Sequence, residues 1–113
     1  MWKIIQSPEF EDWFIHQDLE LQEDVFAIVR VLEKKGPSLG RPYVDTLKGS
    51  KIPNLKELRI QSKGRPIRIL FAFDTERKAV LLTAGNKQGD KRFYAKLIFQ
   101  AERIYEDYLG NIQ

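Results

Sequence analysis

The chain lacks cysteine and has one histidine, His16, among its 113 residues. The absence of cysteine excludes disulfide bonds and cysteine-ligated zinc, and it suits the reducing conditions of the cytoplasm. His16 has no second histidine or cysteine with which to share a metal ion, so it is a poor candidate for a metal ligand or a catalytic residue. We therefore expect a cytoplasmic protein with no metal site.

Long apolar runs and glycine-rich nucleotide motifs are also missing. No segment approaches the roughly 18 apolar residues of a membrane-spanning helix, and the N-terminus lacks the basic and then apolar pattern of a signal peptide. The sequence contains neither GxGxxG nor a P-loop. We therefore expect no membrane partner and no cofactor.

Charge is abundant, and the positive charge is concentrated in the middle of the chain. The length of the chain suits a single domain over residues 1–113. Residues 1–40 carry 4 basic and 8 acidic side chains, residues 41–96 carry 14 and 5, and residues 97–113 carry 1 and 3. This asymmetry indicates a polyanionic partner, with nucleic acid the leading candidate. The alternative is that the basic segment neutralises acidic helices within the fold.

The basic segment has the pattern of three consecutive strands, predicted at residues 55–61, 66–73 and 78–84. A polar turn containing Gly64 separates the first two strands, and residues 74–77 separate the second from the third. Two short turns between three strands predict an antiparallel meander.

The flanking segments complete an α+β fold. Residues 2–6 predict an N-terminal strand that joins the sheet, and Ser7 with Pro8 predicts the start of a helix. Amphipathic patterns predict further helices at residues 19–35 and 91–109. We expect the first two helices to form an α-hairpin over one face of the sheet. Residues 38–54 predict a loop, in which a helical turn around residues 44–47 can form.

Two arginines interrupt the apolar pattern of the meander, and a lysine follows it. Arg59 and Arg68 lie within predicted strands, and Lys87 lies just past the third strand. Antiparallel pairing brings residues at matching depths together, so we expect these cations to converge on one side of the sheet. The alternative is that they merely cover a solvated face. Other candidate contacts for RNA are basic residues of the preceding loop, the first meander strand and the start of the last helix: Arg41, Lys48, Lys56, Lys91 and Arg92.

Arginine, lysine and tyrosine are sufficient to cleave RNA, because the attacking group is the 2′-hydroxyl of the substrate itself. The protein has to align that hydroxyl with the phosphate, neutralise the charge that develops on the phosphate oxygens, and protonate the leaving 5′-oxygen. Arginine binds phosphate through two parallel hydrogen bonds. A lysine or tyrosine can transfer protons if neighbouring cations lower its pKa.

The order of elements and the local sequence resemble the RelE/ParE toxin superfamily, and in particular its HigB-like, phage-derived branch. The matching segments are LKELR at residues 55–59, IRILFAFD at 67–74 and VLLTAGNK at 80–87. The resemblance covers most of the chain and is weakest over residues 1–36. It implies a RelE/ParE-like fold and the toxin of a type II toxin–antitoxin system. Such a toxin cleaves mRNA on the ribosome without a metal ion and is restrained by an antitoxin with a helix-turn-helix domain.

The resemblance also assigns roles to four side chains. Arg68 matches the second-strand arginine that contacts the scissile phosphate. Lys87 matches the basic residue after the third strand, and Arg59 matches the arginine that closes the first meander strand. Tyr94 lies about where some relatives have a tyrosine that stacks on RNA or transfers protons.

The sequence departs from some RNA-cleaving relatives at two points. Leu55 and Glu57 stand where those relatives have lysines, and no histidine lies near the expected site. These departures leave two alternatives open. One is a non-enzymatic inhibitor like the gyrase-poisoning ParE toxins, and the other is a degenerate toxin that only binds its antitoxin.

Overall fold

Residues 1–111, which the computed structural model describes, form five strands and three α-helices. A short 3-10 helix at Gly36–Ser38 follows the second α-helix. In chain order the strands and α-helices are β1 (Lys3–Gln6), α1 (Pro8–Ile15), α2 (Leu19–Lys35), β2 (Val44–Thr46), β3 (Lys56–Ser62), β4 (Arg65–Phe73), β5 (Lys78–Asn86) and α3 (Phe93–Asn111).

The five strands make one mixed sheet in the order β1-β5-β4-β3-β2. The predicted antiparallel meander is confirmed as β3, β4 and β5. The predicted N-terminal strand joins the sheet as β1, parallel to β5. The α+β fold therefore follows the prediction, and the strand limits differ from it by a residue or two.

The prediction of a loop with a possible helical turn at residues 44–47 is wrong, because β2 forms there. Val44 pairs with Leu58, and Thr46 pairs with Lys56. The Leu47 N–H donates to the Leu55 carbonyl oxygen at 2.7 Å, which extends this pairing beyond the strand. A strand of three residues is too short to show a period in sequence. It forms because the edge of β3 offers backbone partners.

The helices α1 and α2 pack on one face of the sheet, as predicted. The Ser7 hydroxyl caps α1 by accepting the Phe10 N–H at 2.9 Å, and Asp18 caps α2 by accepting the Leu21 N–H at 2.9 Å. Gly36 ends α2 with φ of 53°, and a Cβ there would lie 2.2 Å from the Trp2 indole. Their buried side chains share one core with the even-numbered residues of β3 and the odd-numbered residues of β4.

The helix α3 packs on the opposite face, mainly over β4 and β5. It begins at Phe93 and not at residue 91 as predicted. Asp90 sets this boundary: its carboxylate accepts the Arg92 N–H at 3.0 Å and pairs with Lys96 at 2.7 Å. Lys91 and Arg92 therefore lie in the turn before the helix. No helix within residues 1–111 has the length and apolar character that a bilayer crossing needs.

An ion pair joins the N-cap residue of α2 to the first residue of β4, and it predicts a pH dependence of stability. Arg65 Nη1 lies 2.7 Å from Asp18 Oδ2, and this contact, together with the Leu21 N–H that the carboxylate accepts, lowers the pKa of Asp18 from 3.8 to about 2. Because the folded pKa is depressed, the stabilisation is fully present above the unfolded value of 3.8 and is lost as the pH falls through about 2. Asp18→Asn can still cap the helix but loses the ion pair.

We therefore expect Asp18→Asn to lower the melting temperature near neutral pH, with a difference from the wild type that shrinks below about pH 4 and disappears only below about pH 2. Thermal unfolding followed by circular dichroism across this range measures it. In an Arg65→Gln background the same substitution is expected to have little effect. A difference that is constant with pH would contradict this account.

Candidate functional site

Arg59 on β3 and Arg68 on β4 lie directly opposite each other. Both side chains are on the face that carries α3, since Leu70, two residues after Arg68, belongs to the core under that helix. Like charges that are directly opposed across a sheet destabilise it. The pair therefore requires a compensating negative charge.

Glu57 supplies that charge from the same face of β3. Its side chain is only 2% exposed, and its Oε2 accepts a hydrogen bond from Arg59 Nε at 3.0 Å. Its Oε1 lies 3.6 Å from Arg68 Nε and accepts a hydrogen bond from the Tyr94 hydroxyl at 2.7 Å. A single buried carboxylate thus contacts side chains from β3, β4 and α3.

Asp45 holds Arg59 from the side of β2. The register places Asp45 opposite Glu57, and Asp45 Oδ2 lies 3.1 Å from Arg59 Nη2. Arg41 Nη2 lies 3.2 Å from the same oxygen, and its hydrogen bond lowers the pKa of Asp45. Glu57 in turn raises the pKa of Arg59 by accepting its hydrogen bond. Two carboxylates thus fix the plane of the Arg59 guanidinium.

Lys87 joins this group through Tyr94. Its Nζ lies 5.4 Å from the centre of the Tyr94 ring, within the range of a cation–π contact. Its backbone N–H donates to the Pro66 carbonyl oxygen at 2.9 Å, just past the end of β5. The four predicted catalytic residues are thus brought together, and we call them with the central carboxylate the Glu57 cluster: Glu57, Arg59, Arg68, Lys87 and Tyr94.

The condition that neighbouring cations lower the pKa of the proton-transferring residue is not met at Tyr94. Burial and the hydrogen bond to Glu57 raise the pKa of Tyr94, and Arg68 opposes them only in part. The phenol is therefore protonated at neutral pH and directs its proton at Glu57. The rise in the phenol pKa from burial and a nearby carboxylate is larger than the fall that a nearby cation causes.

Only one of the five residues predicted to contact RNA lies next to the Glu57 cluster. Arg41 adjoins the Glu57 cluster through Asp45. Lys56 lies on the opposite face of β3, paired across the sheet with Phe71 of the core under α1 and α2, and its Nζ donates to Thr46 Oγ1 at 2.9 Å. Lys48, Lys91 and Arg92 are exposed. Among residues 1–111, no hydrogen bond or ion pair joins their side chains to the cluster.

An open groove of about 520 Å³ runs beside Arg59 and Arg68 and is lined also by Pro42, Tyr43, Gln61 and Pro66. Both arginines thus line an open groove, although the Arg68 side chain is only 14% exposed. Over the part of the chain that the structure describes, no three histidine, cysteine, aspartate or glutamate side chains converge in a geometry suited to a metal ion.

Comparison with known proteins identifies the family. Residues 12–106 match the family described as "Phage derived protein Gp49-like (DUF891)". The chain belongs to this Gp49-like family.

Two relatives come from Mycobacterium tuberculosis (strain ATCC 25618 / H37Rv). One, named "Putative toxin HigB2", is 46% identical over 103 residues, which are 89% of this chain and 51% of that protein. The other, named "Putative toxin HigB3", is 41% identical over 109 residues, which are 96% of this chain and 94% of that protein.

The resemblance to HigB-like toxins is thereby confirmed, although the chain spans only about half the length of HigB2. A solved structure, a copper-bound mutant toxin from Helicobacter pylori, matches with a TM-score of 0.55 and 19% identity. The match covers 77% of this Gp49-like chain and 96% of that one. At this identity the likeness shows the fold alone.

Sequence reasoning missed Glu57 and Asp45 as members of the site. In the sequence Glu57 stands out only as a departure from a lysine, and Asp45 lies in a predicted loop. The alternation of Glu57 and Arg59 on one face of a strand, with an arginine on the next strand, was the available indication. Asp45 gave no such indication, because β2 is recognisable only once it pairs with β3.

The contact between Glu57 and Tyr94 predicts the direction of a pKa change. Glu57→Gln retains a hydrogen-bond acceptor for the phenol and removes the negative charge, so the pKa of Tyr94 is expected to fall. A pH titration of the tyrosine ring carbon resonances by NMR measures the change. Tyr105 is the internal control, because burial and Asp74 raise its pKa and Glu57 does not. An unchanged Tyr94 pKa, or an equal fall at Tyr105, would contradict the assigned contact.

Proposed function

We propose that this Gp49-like protein is the toxin of a type II toxin–antitoxin system and that it cleaves mRNA on the ribosome. The observation that supports this most directly is the pair Arg59 and Arg68, opposed in register on an accessible face and held by one buried carboxylate. The names of the HigB relatives support the toxin assignment. The cleavage assignment rests on the chemistry of the Glu57 cluster.

The two arginines suit the binding of one phosphodiester. Arg59 uses Nε and Nη2 for Glu57 and Asp45, and Arg68 uses Nη1 for the Ile67 carbonyl oxygen. Each guanidinium has further N–H groups, and both side chains line the groove. A phosphate in the groove can therefore accept hydrogen bonds from both. Donors that are fixed before the substrate arrives stabilise the charge that develops on the phosphate in the transition state.

Tyr94, Glu57 and Lys87 can complete the proton transfers. The substrate 2′-oxygen attacks phosphorus and passes its proton to the Tyr94 oxygen, while Tyr94 passes its own proton to Glu57. The bond from phosphorus to the 5′-oxygen breaks, and the Lys87 ammonium protonates that oxygen. The products are a 2′,3′-cyclic phosphate and a 5′-hydroxyl. A relay suits Tyr94 because its raised pKa disfavours a free phenolate beside a carboxylate.

The proposed partners are translating ribosomes in the cytoplasm and a cognate antitoxin with a helix-turn-helix domain. The relatives named as toxins support an antitoxin in general terms. An adjacent reading frame for a small helix-turn-helix protein would support this partner. The proposed chemistry uses no cofactor or metal ion.

Glu57 itself favours a second candidate function. Together with Asp45 it offsets the charge of the arginines, which leaves the cluster less cationic than the sequence alone suggests. A non-enzymatic inhibitor of gyrase, or a degenerate toxin that only binds its antitoxin, needs no reactive phosphate site. A DNA-damage response with intact mRNA after expression would support the gyrase inhibitor. Expression without growth arrest would support the degenerate toxin.

The proposed function predicts that Arg68→Ala lowers the rate of mRNA cleavage by about 100-fold or more, the usual loss when one donor to a developing anion is removed. Purified protein, translating ribosomes and end-labelled mRNA provide the assay, with primer extension to locate the cuts. Wild-type protein is expected to cut at the codon in the ribosomal A site.

Two further variants separate catalysis from folding and from overall charge. Arg30→Ala removes the same charge from an exposed position on α2 and is expected to cleave normally. Arg68→Lys keeps a positive charge next to Glu57 and so protects the fold, but it loses the planar guanidinium and is expected to remain impaired. Normal cleavage by folded Arg68→Ala would overturn the proposed mechanism.

A further inference from the structure

Tyr43 presents an aromatic ring beside the two arginines. The ring belongs to neither core and the residue is 49% exposed. Its backbone is fixed nevertheless, because its N–H donates to the Gly40 carbonyl oxygen at 3.0 Å and its own carbonyl oxygen accepts the Arg59 N–H at 2.7 Å. Tyr43 is therefore anchored next to Arg59 through its backbone, and its side chain lines the groove without contributing to either core.

The groove between Tyr43 and the arginines also contains a side-chain amide. Gln61 lies two residues after Arg59 on the same face of β3, opposite Pro66. Within residues 1–111 the structure shows no hydrogen bond from the Gln61 side chain, and the residue is exposed. An amide presents both a donor and an acceptor, which is what the edge of a nucleobase requires. Pro42 and Pro66 add apolar surface to the same groove.

We infer that this groove is a subsite for one nucleobase of single-stranded RNA, adjacent to the phosphate held by Arg59 and Arg68. The base stacks on Tyr43, and Gln61 hydrogen bonds to its edge. An aromatic ring beside two cations is the combination that binds single-stranded nucleic acid, because each nucleotide offers a flat base next to an anion. The charge of the arginines favours this occupant over an uncharged peptide. The inference rests on the RNA-binding part of the proposed function and not on cleavage.

The test measures RNA binding in the absence of cleavage. The probe is a short, fluorescein-labelled 2′-O-methyl oligoribonucleotide, whose blocked 2′-oxygen cannot attack, and affinity is measured by fluorescence anisotropy. Loss of one stacked base typically weakens binding by about 5- to 100-fold. We expect a loss in this range for Tyr43→Ala and a change of no more than about 2-fold for Tyr43→Phe, which keeps the ring. Circular dichroism should show unchanged folding, since the ring is outside the core.

Abasic substitution at each position of the probe locates the base that Tyr43 contacts. At one position the missing base is expected to weaken binding by the wild type but not by Tyr43→Ala, because both changes remove the same contact. Equal losses for both proteins at every position would overturn the inference. So would an unchanged affinity of Tyr43→Ala, or no binding of the probe by wild-type protein.

Two further outcomes distinguish this inference from a protein-binding role of the groove and from the proposed enzymatic function. If Tyr43→Ala weakens only the complex with the antitoxin, the groove belongs to a protein partner and the inference is wrong. If the coupling between Tyr43 and one base is found but ribosomal cleavage is not, the subsite stands and the proposed enzymatic function fails.

Discussion

The site depends on the contact of one buried carboxylate, Glu57, with two guanidinium groups. Arg59 and Arg68 are paired directly across β3 and β4, an arrangement that repulsion disfavours. A buried carboxylate without a partner is also unfavourable, and by more. The carboxylate offsets the repulsion between the arginines, and the arginines compensate the burial of the carboxylate. The register of the meander and the positions of the arginines therefore depend on each other. Asp45 and Tyr94 extend this network to β2 and α3.

The same contacts determine what the site can do. A long arginine side chain on a solvated strand samples many rotamers, and ordering it on a ligand is unfavourable. Here Glu57, Asp45 and the Ile67 carbonyl oxygen order both guanidinium groups in advance. The carboxylates reduce the net positive charge of the cluster, which weakens long-range attraction of RNA but favours precise contact with a single phosphate. The site is therefore better suited to positioning one phosphate than to attracting RNA from a distance.

Much of the fold could be predicted from the sequence, because its determinants are local. Ser7 and Gly36 mark helix ends through single-residue chemistry, and the two short polar turns specify the meander. The strand β2 could not be predicted, because three residues with glycine and proline on either side form a strand only against β3. The face of Lys56 was available from the sequence, because strand alternation places Lys56 and Arg59 on opposite faces of β3.

The strand pattern allowed two outcomes for the cations, convergence or a solvated face. The pairing of Arg59 with Arg68 and the contact of Lys87 with Tyr94 bring them together. The importance of Glu57 and the raised pKa of Tyr94 depend on burial and on a hydrogen bond between β3 and α3, residues 37 positions apart in the chain. Such effects depend on tertiary distances, which a sequence pattern does not contain.

The most direct measurement of the central claim is a crystal structure of the protein with a short 2′-O-methyl oligoribonucleotide. The account predicts one phosphodiester within about 3 Å of guanidinium N–H groups of both Arg59 and Arg68, with Glu57 still in contact with both arginines. RNA bound on another surface, with no phosphate near this pair, would contradict it.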